Sequence, residues 1–155
     1  MKVLKFMCAG VLALFVLACT GCQFVKYTYV YDQSIDKVEK VEICRYDYAT
    51  KTVTPVATMD AAPAENLLTD ITLLDCYKAF GDGSRDYGEI VIYITYLDGT
   101  AEVQGMVNSA SIDLEGNWWI KSYYFDYAQW CSVVLQYVDP EIVPELGRYV
   151  EDAQS

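Results

Sequence analysis

An alternating apolar run that ends at an Asp-Gly pair constrains the fold of this chain more than any other segment. The run covers residues 90–97, Asp98 and Gly99 follow it, and a second run continues over 100–108. Asp-Gly between two such runs is typical of a β-hairpin with a two-residue turn. The sequence therefore predicts an antiparallel hairpin in which Leu97 lies opposite Thr100.

This register also predicts which side chains of the hairpin share a face. Thr95 would lie opposite Glu102, and Ile92 opposite Gly105. Because side chains alternate along a strand, one face is then apolar and belongs to the core. Its members are Ile90, Ile92, Ile94, Tyr96, Ala101, Val103, Gly105 and Val107. The other face is mixed and partly exposed to solvent, with Val91, Tyr93, Thr95, Glu102, Gln104 and Met106.

The remaining segments indicate an α+β fold. Two strands are expected before residue 60, and Pro55 places the second at a sheet edge because proline cannot donate to a sheet ladder. Asp60 is expected to cap one helix and Asp126 another, with Gln129 completing a capping box. The predicted order is β-β-α-β-β-β-β-α-α, an antiparallel sheet of about five to six strands with two to three helices packed on one face.

The first 22 residues have the pattern of an export signal. Lys2 and Lys5 precede an apolar run over residues 6–18. A run of 13 residues is within the range of a signal-peptide core and shorter than the roughly 20 residues of a transmembrane helix. Two cysteines, Cys19 and Cys22, follow at once and are separated by the small pair Thr-Gly.

This segment resembles the signal peptide of a bacterial lipoprotein, and the chain is similar to the small lipoproteins of Gram-positive bacteria. The resemblance implies that a cysteine is lipidated, that the signal is removed before it, and that the protein faces outward from the cell membrane. The aliphatic Val16 three positions upstream favours Cys19 over Cys22 as the lipidated residue. The expected parts are a signal peptide at 1–18, or to 21 if Cys22 is modified, a lipid-attached tether at 19–37, and one α+β domain at 38–155.

The expected tether contains an alternating set of tyrosines. Tyr27, Tyr29 and Tyr31 are separated by one residue each. This spacing is typical of a short strand with its tyrosines on one side. It fits equally well a tether whose tyrosines lie at the level of the lipid headgroups.

The remaining cysteines predict at most one disulfide. Thiols can oxidise outside the cytoplasm, and Cys44 and Cys76 both lie on candidate strands. Cys131 lies in a candidate helix, so Cys44–Cys76 is the expected pair. The alternative is that these cysteines remain free in the core. Their spacing matches neither a redox pair nor a zinc site, and neither a metal nor another cofactor is expected.

Charge and the absence of histidine exclude several function classes. The formal charge is −11, and it becomes −13 once Lys2 and Lys5 are removed with the signal. Nucleic-acid phosphates repel such a chain. Without histidine there are no Ser-His or Cys-His pairs and few ways to bind zinc. Carboxylate chemistry of the glycosidase kind remains open. An enzyme is the less favoured class.

Two adjacent tryptophans provide the candidate ligand-binding surface. Trp118 and Trp119 must point to opposite faces of their strand, and Lys121 shares the side of Trp119. Burying a lysine is costly, so this side is expected to be the outer face, opposite the second helix. The alternative is that the C-terminal segment or the Tyr27 strand covers it. The predicted ligand-binding residues on this outer face are Trp119, Lys121, Tyr123 and Tyr93.

The sequence as a whole favours a lipid-anchored binding module outside the cytoplasm. Its ligand would be an envelope protein or a glycan, because exposed aromatic rings suit both. The alternatives are a carboxylate-dependent envelope hydrolase and a structural or inhibitory protein such as an immunity factor. A cleft with two paired carboxylates would favour the hydrolase.

Overall fold

The computed structural model of the protein describes residues 26–78 and 87–152. These residues form an α+β fold with one open antiparallel sheet and three α-helices. The strands are β1 (Lys26–Tyr27), β2 (Val38–Asp47), β3 (Thr52–Met59), β4 (Cys76–Lys78), β5 (Ile90–Tyr96), β6 (Ala101–Gly105), β7 (Val107–Ile112) and β8 (Trp118–Phe125). The helices are α1 (Ala61–Thr72), α2 (Tyr127–Val134) and α3 (Pro144–Asp152), and a short 3-10 turn (Ile35–Lys37) precedes β2.

The sheet contains eight strands in the order β1-β4-β8-β7-β6-β5-β2-β3. The predicted α+β class and antiparallel sheet are confirmed, but the number of strands exceeds the predicted five to six. One extra strand is β1, which pairs with β4. The other arises because the chain reverses at Met106 and divides the expected second hairpin strand into β6 and β7. Asn108 makes this tight reversal with φ +58°.

Local signals position the other elements as predicted. Pro55 lies in β3, which is an edge strand of the sheet. Helix α1 begins directly after Asp60 and buries Leu67 and Ile71, although the Asp60 side chain makes no capping hydrogen bond to the helix. Helix α2 begins after Asp126, whose carboxylate accepts a hydrogen bond of 2.9 Å from the backbone N–H of Gln129.

The β5–β6 hairpin differs from the predicted register by one residue. Thr95 pairs with Ala101, not with Glu102. The backbone N–H of Tyr96 donates to the carbonyl of Thr100 at 2.9 Å, so three residues, 97–99, form the loop. Gly99 adopts φ +86°, which an L side chain rarely accepts. A shift of one residue moves every β6 side chain to the opposite face.

The register shift gives each face of the sheet its own core. The helix-side core lies between the sheet and the helices, and Glu102 and Gln104 are buried on this side, opposite Ile94 and Ile92. The opposite-face core is built around Val91, Ala101 and Val103. Val53 of β3 and Trp118 of β8 both pack against it, although four strands separate β3 from β8. The sheet is therefore curled around this second core.

Residues 26–37, expected to lie in the tether, pack on the domain. Tyr29 and Tyr31 are buried in the helix-side core, and the Tyr31 hydroxyl donates to the carbonyl of Leu68 at 3.0 Å. Only Tyr27 of the three alternating tyrosines is exposed. Tyr29 and Tyr31 therefore belong to the packed core, although the sequence places them before the expected start of the domain at residue 38.

The cysteines of the described residues correct the predicted disulfide. Cys44, Cys76 and Cys131 are free and buried. Cys44 belongs to the opposite-face core and Cys76 to the helix-side core, so the sheet lies between them. Burial raises the pKa of Cys44 to about 12 and that of Cys76 to about 11.

Both candidate lipidation sites, Cys19 and Cys22, lie outside the described residues, as does the signal peptide. Of the helices formed by residues 26–78 and 87–152, none is long and apolar enough to cross a bilayer.

Candidate functional site

The structure divides the predicted ligand-binding residues between two faces of the sheet. Trp119, Lys121 and Tyr123 share one face as predicted, but it is the face on which α2 packs. The position of Lys121 shows this most clearly, because its ammonium contacts the buried carboxylate of Glu102. The prediction of an outer face opposite the second helix is wrong, because it assumed that Lys121 would avoid the interior, whereas Lys121 has a buried carboxylate as its partner.

Tyr93 lies on the other face, apart from the remaining three residues. It packs against the opposite-face core and lines a pocket of about 300 Å³ together with Glu42, Cys44 and Trp118. Burial raises the pKa of Tyr93, with a smaller contribution from Cys44. Tyr93 therefore cannot act together with Trp119 on one ligand.

Lys121 is committed to an internal polar cluster. The cluster comprises Lys121, Glu102, Asp32, Tyr29 and Tyr96. Lys121 pairs with Asp32 and, at 3.3 Å, with Glu102, and its ammonium lies 5.9 Å from the centre of the Tyr29 ring. Glu102 is completely buried, so this cation supplies the charge that a buried carboxylate requires. Lys121 has a structural role in the described fold.

The carboxylate of Glu102 has no free hydrogen-bonding position. Its Oε1 accepts from the Tyr29 hydroxyl and from Lys121. Its Oε2 accepts from the Tyr96 hydroxyl at 2.7 Å and from the backbone N–H of Asp32 at 2.9 Å. Four donors match the four acceptor positions of a carboxylate. Burial, followed by the charge of Glu102, raises the pKa of Tyr96.

Tyr123 is also part of the interior. Its side chain is 7% exposed, and its ring lies 4.8 Å from that of Tyr29 and 5.3 Å from that of Phe125. Burial raises its pKa well above the usual range. Its ring therefore packs among other aromatic rings, and its side chain forms part of the wall of a groove that Lys121 also lines.

Trp119 alone among the four predicted residues is strongly exposed. Its side chain is 66% accessible, whereas Trp118 is partly buried and packs on the opposite-face core near Tyr87. Trp119 is the exposed member of the pair and Trp118 the more buried one, as predicted, but Trp118 packs on the face opposite the helices, not on the helix side. Hydrogen bonds from Asn117 and from the indole of Trp119 hold the pKa of Asp113 below its usual range.

Two exposed leucines lie at the same end of the sheet as Trp119. Leu97 belongs to the β5–β6 loop and is 63% exposed, and Leu114 belongs to the β7–β8 loop and is 73% exposed. The loops adjoin, since a Cβ added to Gly99 would lie 3.2 Å from Leu114 Cδ2. We call this surface the hairpin-end patch and define it as Leu97, Leu114 and Trp119.

Carboxylates surround the hairpin-end patch. Asp98 follows Leu97, and Asp113 and Glu115 flank Leu114. Hydrogen bonds from Thr100, and a weaker one from Gln33, hold the pKa of Asp98 below its usual range. Asp113 accepts hydrogen bonds from the backbone N–H groups of Glu115 and Asn117 at 3.0 and 2.8 Å. The patch therefore combines an apolar centre with a negatively charged rim.

Sequence reasoning missed the two leucines, although the sequence contained a usable signal for one of them. Leu114 lies within Asp-Leu-Glu-Gly, a turn sequence in which an apolar residue has no strand neighbour to cover it. The sequence predicts Leu97 at the end of a strand, but in the structure it belongs to the three-residue loop 97–99 and is exposed there.

The described residues contain no group of three or more Asp, Glu, Cys or His side chains suited to hold a metal ion. Comparison with known proteins finds no matching family model, no similar curated protein and no similar solved structure.

Proposed function

We propose that the chain is a lipid-anchored binding module outside the cytoplasm and that the hairpin-end patch binds a protein partner. The observation that carries the proposal is that three strongly exposed apolar side chains lie at one end of the sheet, two of them on adjacent loops and Trp119 at the start of β8. Tryptophan is among the residues that most often dominate binding energy at interfaces. Clustered exposure of this kind marks interaction sites on soluble domains. The lipid anchor rests on the sequence of residues 1–22.

A protein partner fits this patch better than a glycan. Trp119 alone would suit either, because a sugar ring and an apolar side chain both stack on indole. Leu97 and Leu114 offer no hydrogen bonds to sugar hydroxyls, but they can fill apolar depressions on a protein. The rim of Asp98, Asp113 and Glu115 favours a partner with Lys or Arg around its apolar centre.

The polar cluster around Glu102 gives no support to a hydrolase. Glu102 and Asp32 both pair with Lys121, and two carboxylates this close together in an open cleft would fit a hydrolase. All four acceptor positions of Glu102 are nevertheless filled by protein donors, and its side chain is not accessible. A general acid or base needs to reach its substrate. The cluster instead fastens the segment 29–32 to the sheet.

Site-specific photocrosslinking in intact cells tests the proposed binding. A benzophenone amino acid replaces Leu114 in the full-length chain, and a matched variant carries it at Tyr48, which is 60% exposed in the β2–β3 turn. We expect a protein adduct from position 114 and a weaker one or none from position 48. Equal adducts from both positions, or no protein adduct from position 114, would contradict the proposed site. A glycan adduct at position 114 would contradict the proposed protein partner and show that the patch binds a glycan.

A further inference from the structure

A second group of exposed apolar side chains lies where the described chain begins. Val30 and Leu73 are 73% and 78% exposed, and Tyr27 is 47% exposed. Tyr27 and Val30 line one groove, and Val30 lines a neighbouring pocket with Thr72, which precedes Leu73. Lys26 and Asp75 connect the strand to the end of α1 by an ion pair of 2.6 Å. We call this surface the N-terminal corner and define it as Tyr27, Val30 and Leu73.

Few residues lie between the two candidate lipidation sites and this corner. Only four residue steps separate Cys22 from Lys26, and seven separate Cys19 from Lys26. Fully extended, these stretches reach about 14 Å and about 24 Å. A domain of this size has a radius of gyration of roughly 14 Å, so a lipid on either cysteine holds the corner within one domain diameter of the bilayer.

The segment that follows the corner is firmly attached to the sheet, so no slack is available beyond Lys26. Tyr29 donates to Glu102, Asp32 pairs with Lys121, and Gln33 donates to Asp98 at 2.8 Å. The ring of Tyr29 is enclosed by those of Tyr31, Tyr123 and Phe125. Lengthening the tether would require these buried contacts to break.

We infer that the N-terminal corner rests on the outer surface of the bilayer that carries the anchor. The inference depends on the lipid anchor of the proposed function. The contact needs little intrinsic affinity, because attachment to the bilayer gives the corner a high effective concentration at the lipid surface. Tyrosine is favoured at the level of the headgroups, and the two aliphatic side chains can enter the boundary with the acyl chains.

The charges near the corner are compatible with a lipid surface even though the chain as a whole is acidic. Lys26 belongs to β1, and Lys78 lines the groove beside Tyr27 and Val30. Their ammonium groups can approach lipid phosphates, and that of Lys26 also forms the ion pair with Asp75. The formal charge of −11, which becomes −13 once Lys2 and Lys5 are removed with the signal, opposes binding to anionic bilayers, so the contact is expected on zwitterionic lipid.

This orientation directs the hairpin-end patch away from the bilayer. β4 pairs with β8 at Phe125, whereas the hairpin end adjoins Trp118. Seven residues of strand separate these positions, which corresponds to about 23 Å. Contact of the N-terminal corner with lipid therefore leaves Leu97, Leu114 and Trp119 accessible to a partner.

Quenching of tryptophan fluorescence by brominated lipid tests the inference on the full chain. The processed protein is reconstituted into phosphatidylcholine vesicles with or without dibrominated acyl chains. Leu73→Trp places a reporter at the corner, and Leu114→Trp is the matched control, since both positions are exposed leucines on loops. The emission of the three natural tryptophans provides the baseline, because Trp130 is buried and both Trp118 and Trp119 lie at the far end of β8.

We expect brominated lipid to reduce the emission of Leu73→Trp by a larger fraction than that of the wild type. Leu114→Trp should show no additional loss. Equal loss from both variants, or no additional loss from Leu73→Trp, would overturn the inference. Mass spectrometry of the same sample separates the two claims: a chain without lipid contradicts the anchor and the inference together, whereas a lipidated chain with an unquenched Leu73→Trp contradicts the inference alone.

Discussion

Replacing Glu102 by glutamine tests the buried polar cluster that fastens the N-terminal segment. Glutamine keeps the shape of the side chain but exchanges one acceptor oxygen for an NH2 donor. On one side of Glu102 the donors are the Tyr29 hydroxyl and Lys121, and on the other they are the Tyr96 hydroxyl and the backbone N–H of Asp32. A hydroxyl can rotate to accept, but an ammonium or a backbone N–H cannot. Either orientation of the amide therefore faces a fixed donor.

The cost follows from the hydrogen bonds that are lost. The bond to the fixed donor disappears, which is worth about 1.5–3 kcal/mol because one partner is charged, and that donor is left facing an NH2 group without an acceptor, which costs about 1–3 kcal/mol more. Allowing for the partial exposure of Lys121, we expect Glu102→Gln to lower the free energy of unfolding by about 3–5 kcal/mol. For a domain of this length, that is a fall in Tm of roughly 10–20 °C.

Urea unfolding at neutral pH, followed by tryptophan fluorescence, measures this change. Glu115→Gln is the matched control, since Glu115 is exposed in the β7–β8 loop and its replacement should change stability by less than about 0.5 kcal/mol. A Glu102→Gln variant as stable as this control would refute the reasoning that the carboxylate is held by four donors.

Three further predictions concern the tryptophans, the glycines and the thiols. Trp119→Ala should change the free energy of unfolding by less than about 0.5 kcal/mol and abolish the photocrosslinked adduct formed from position 114. Trp118→Ala should lower the free energy of unfolding, measured with urea, by roughly 2–3 kcal/mol, because the ring packs on the opposite-face core. Stabilisation of the domain by Trp119 would contradict its assignment to the patch. Gly105→Ala should lower Tm sharply, because the added Cβ would lie 2.0 Å from the carbonyl oxygen of Tyr87. The control Gly147→Ala meets no atom within 4 Å and should leave Tm unchanged or raise it. Equal Tm values for the two variants would contradict the predicted clash at Gly105. Burial raises the pKa of Cys44 and Cys131 to about 12 and of Cys76 to about 11, so their contribution to stability is complete below about pH 9 and is lost as the pH rises towards 12. Urea midpoints that do not fall between pH 9 and 10, or rapid labelling of Cys44, Cys76 or Cys131 in the native chain, would contradict this burial.

The parts of the fold that could be predicted depend on local chemistry. Proline in β3 excludes a central position in the sheet, and Asp126 with Gln129 marks the start of α2 through one hydrogen bond. The apolar alternation of β5 needed no knowledge of distant residues. These signals act within a few residues, and the sequence displays them directly.

The register of the β5–β6 hairpin could not be read in the same way. Asp98-Gly99 fits a two-residue turn, and it fits equally a three-residue loop that ends with glycine in the left-handed region. The choice between them depends on what Glu102 meets after folding. Its partners Tyr29 and Tyr96 lie 73 and 6 residues away in the sequence, and the more distant one belongs to a segment that was expected to be a tether.

The same error grouped Tyr93 with the other predicted site residues, from which the sheet separates it. The face of Lys121 was misjudged for a different reason: lysine was assumed to avoid the interior, but Lys121 lies beside the carboxylate of Glu102, which is buried and was expected on a partly exposed face. Trp119 was found correctly because adjacent strand residues must point to opposite faces, whichever face is the core. The leucines of the hairpin-end patch depend on loop geometry, which periodicity does not report.

Mass spectrometry of the mature N-terminus tests the central claim of lipid anchoring most directly. The chain is isolated from the membrane fraction of cells that process lipoproteins, and its N-terminal peptide is sequenced. The account predicts that the chain begins at Cys19 or Cys22 and carries a diacylglycerol adduct on that cysteine. A chain that retains Lys2, or a processed chain without lipid, would contradict it.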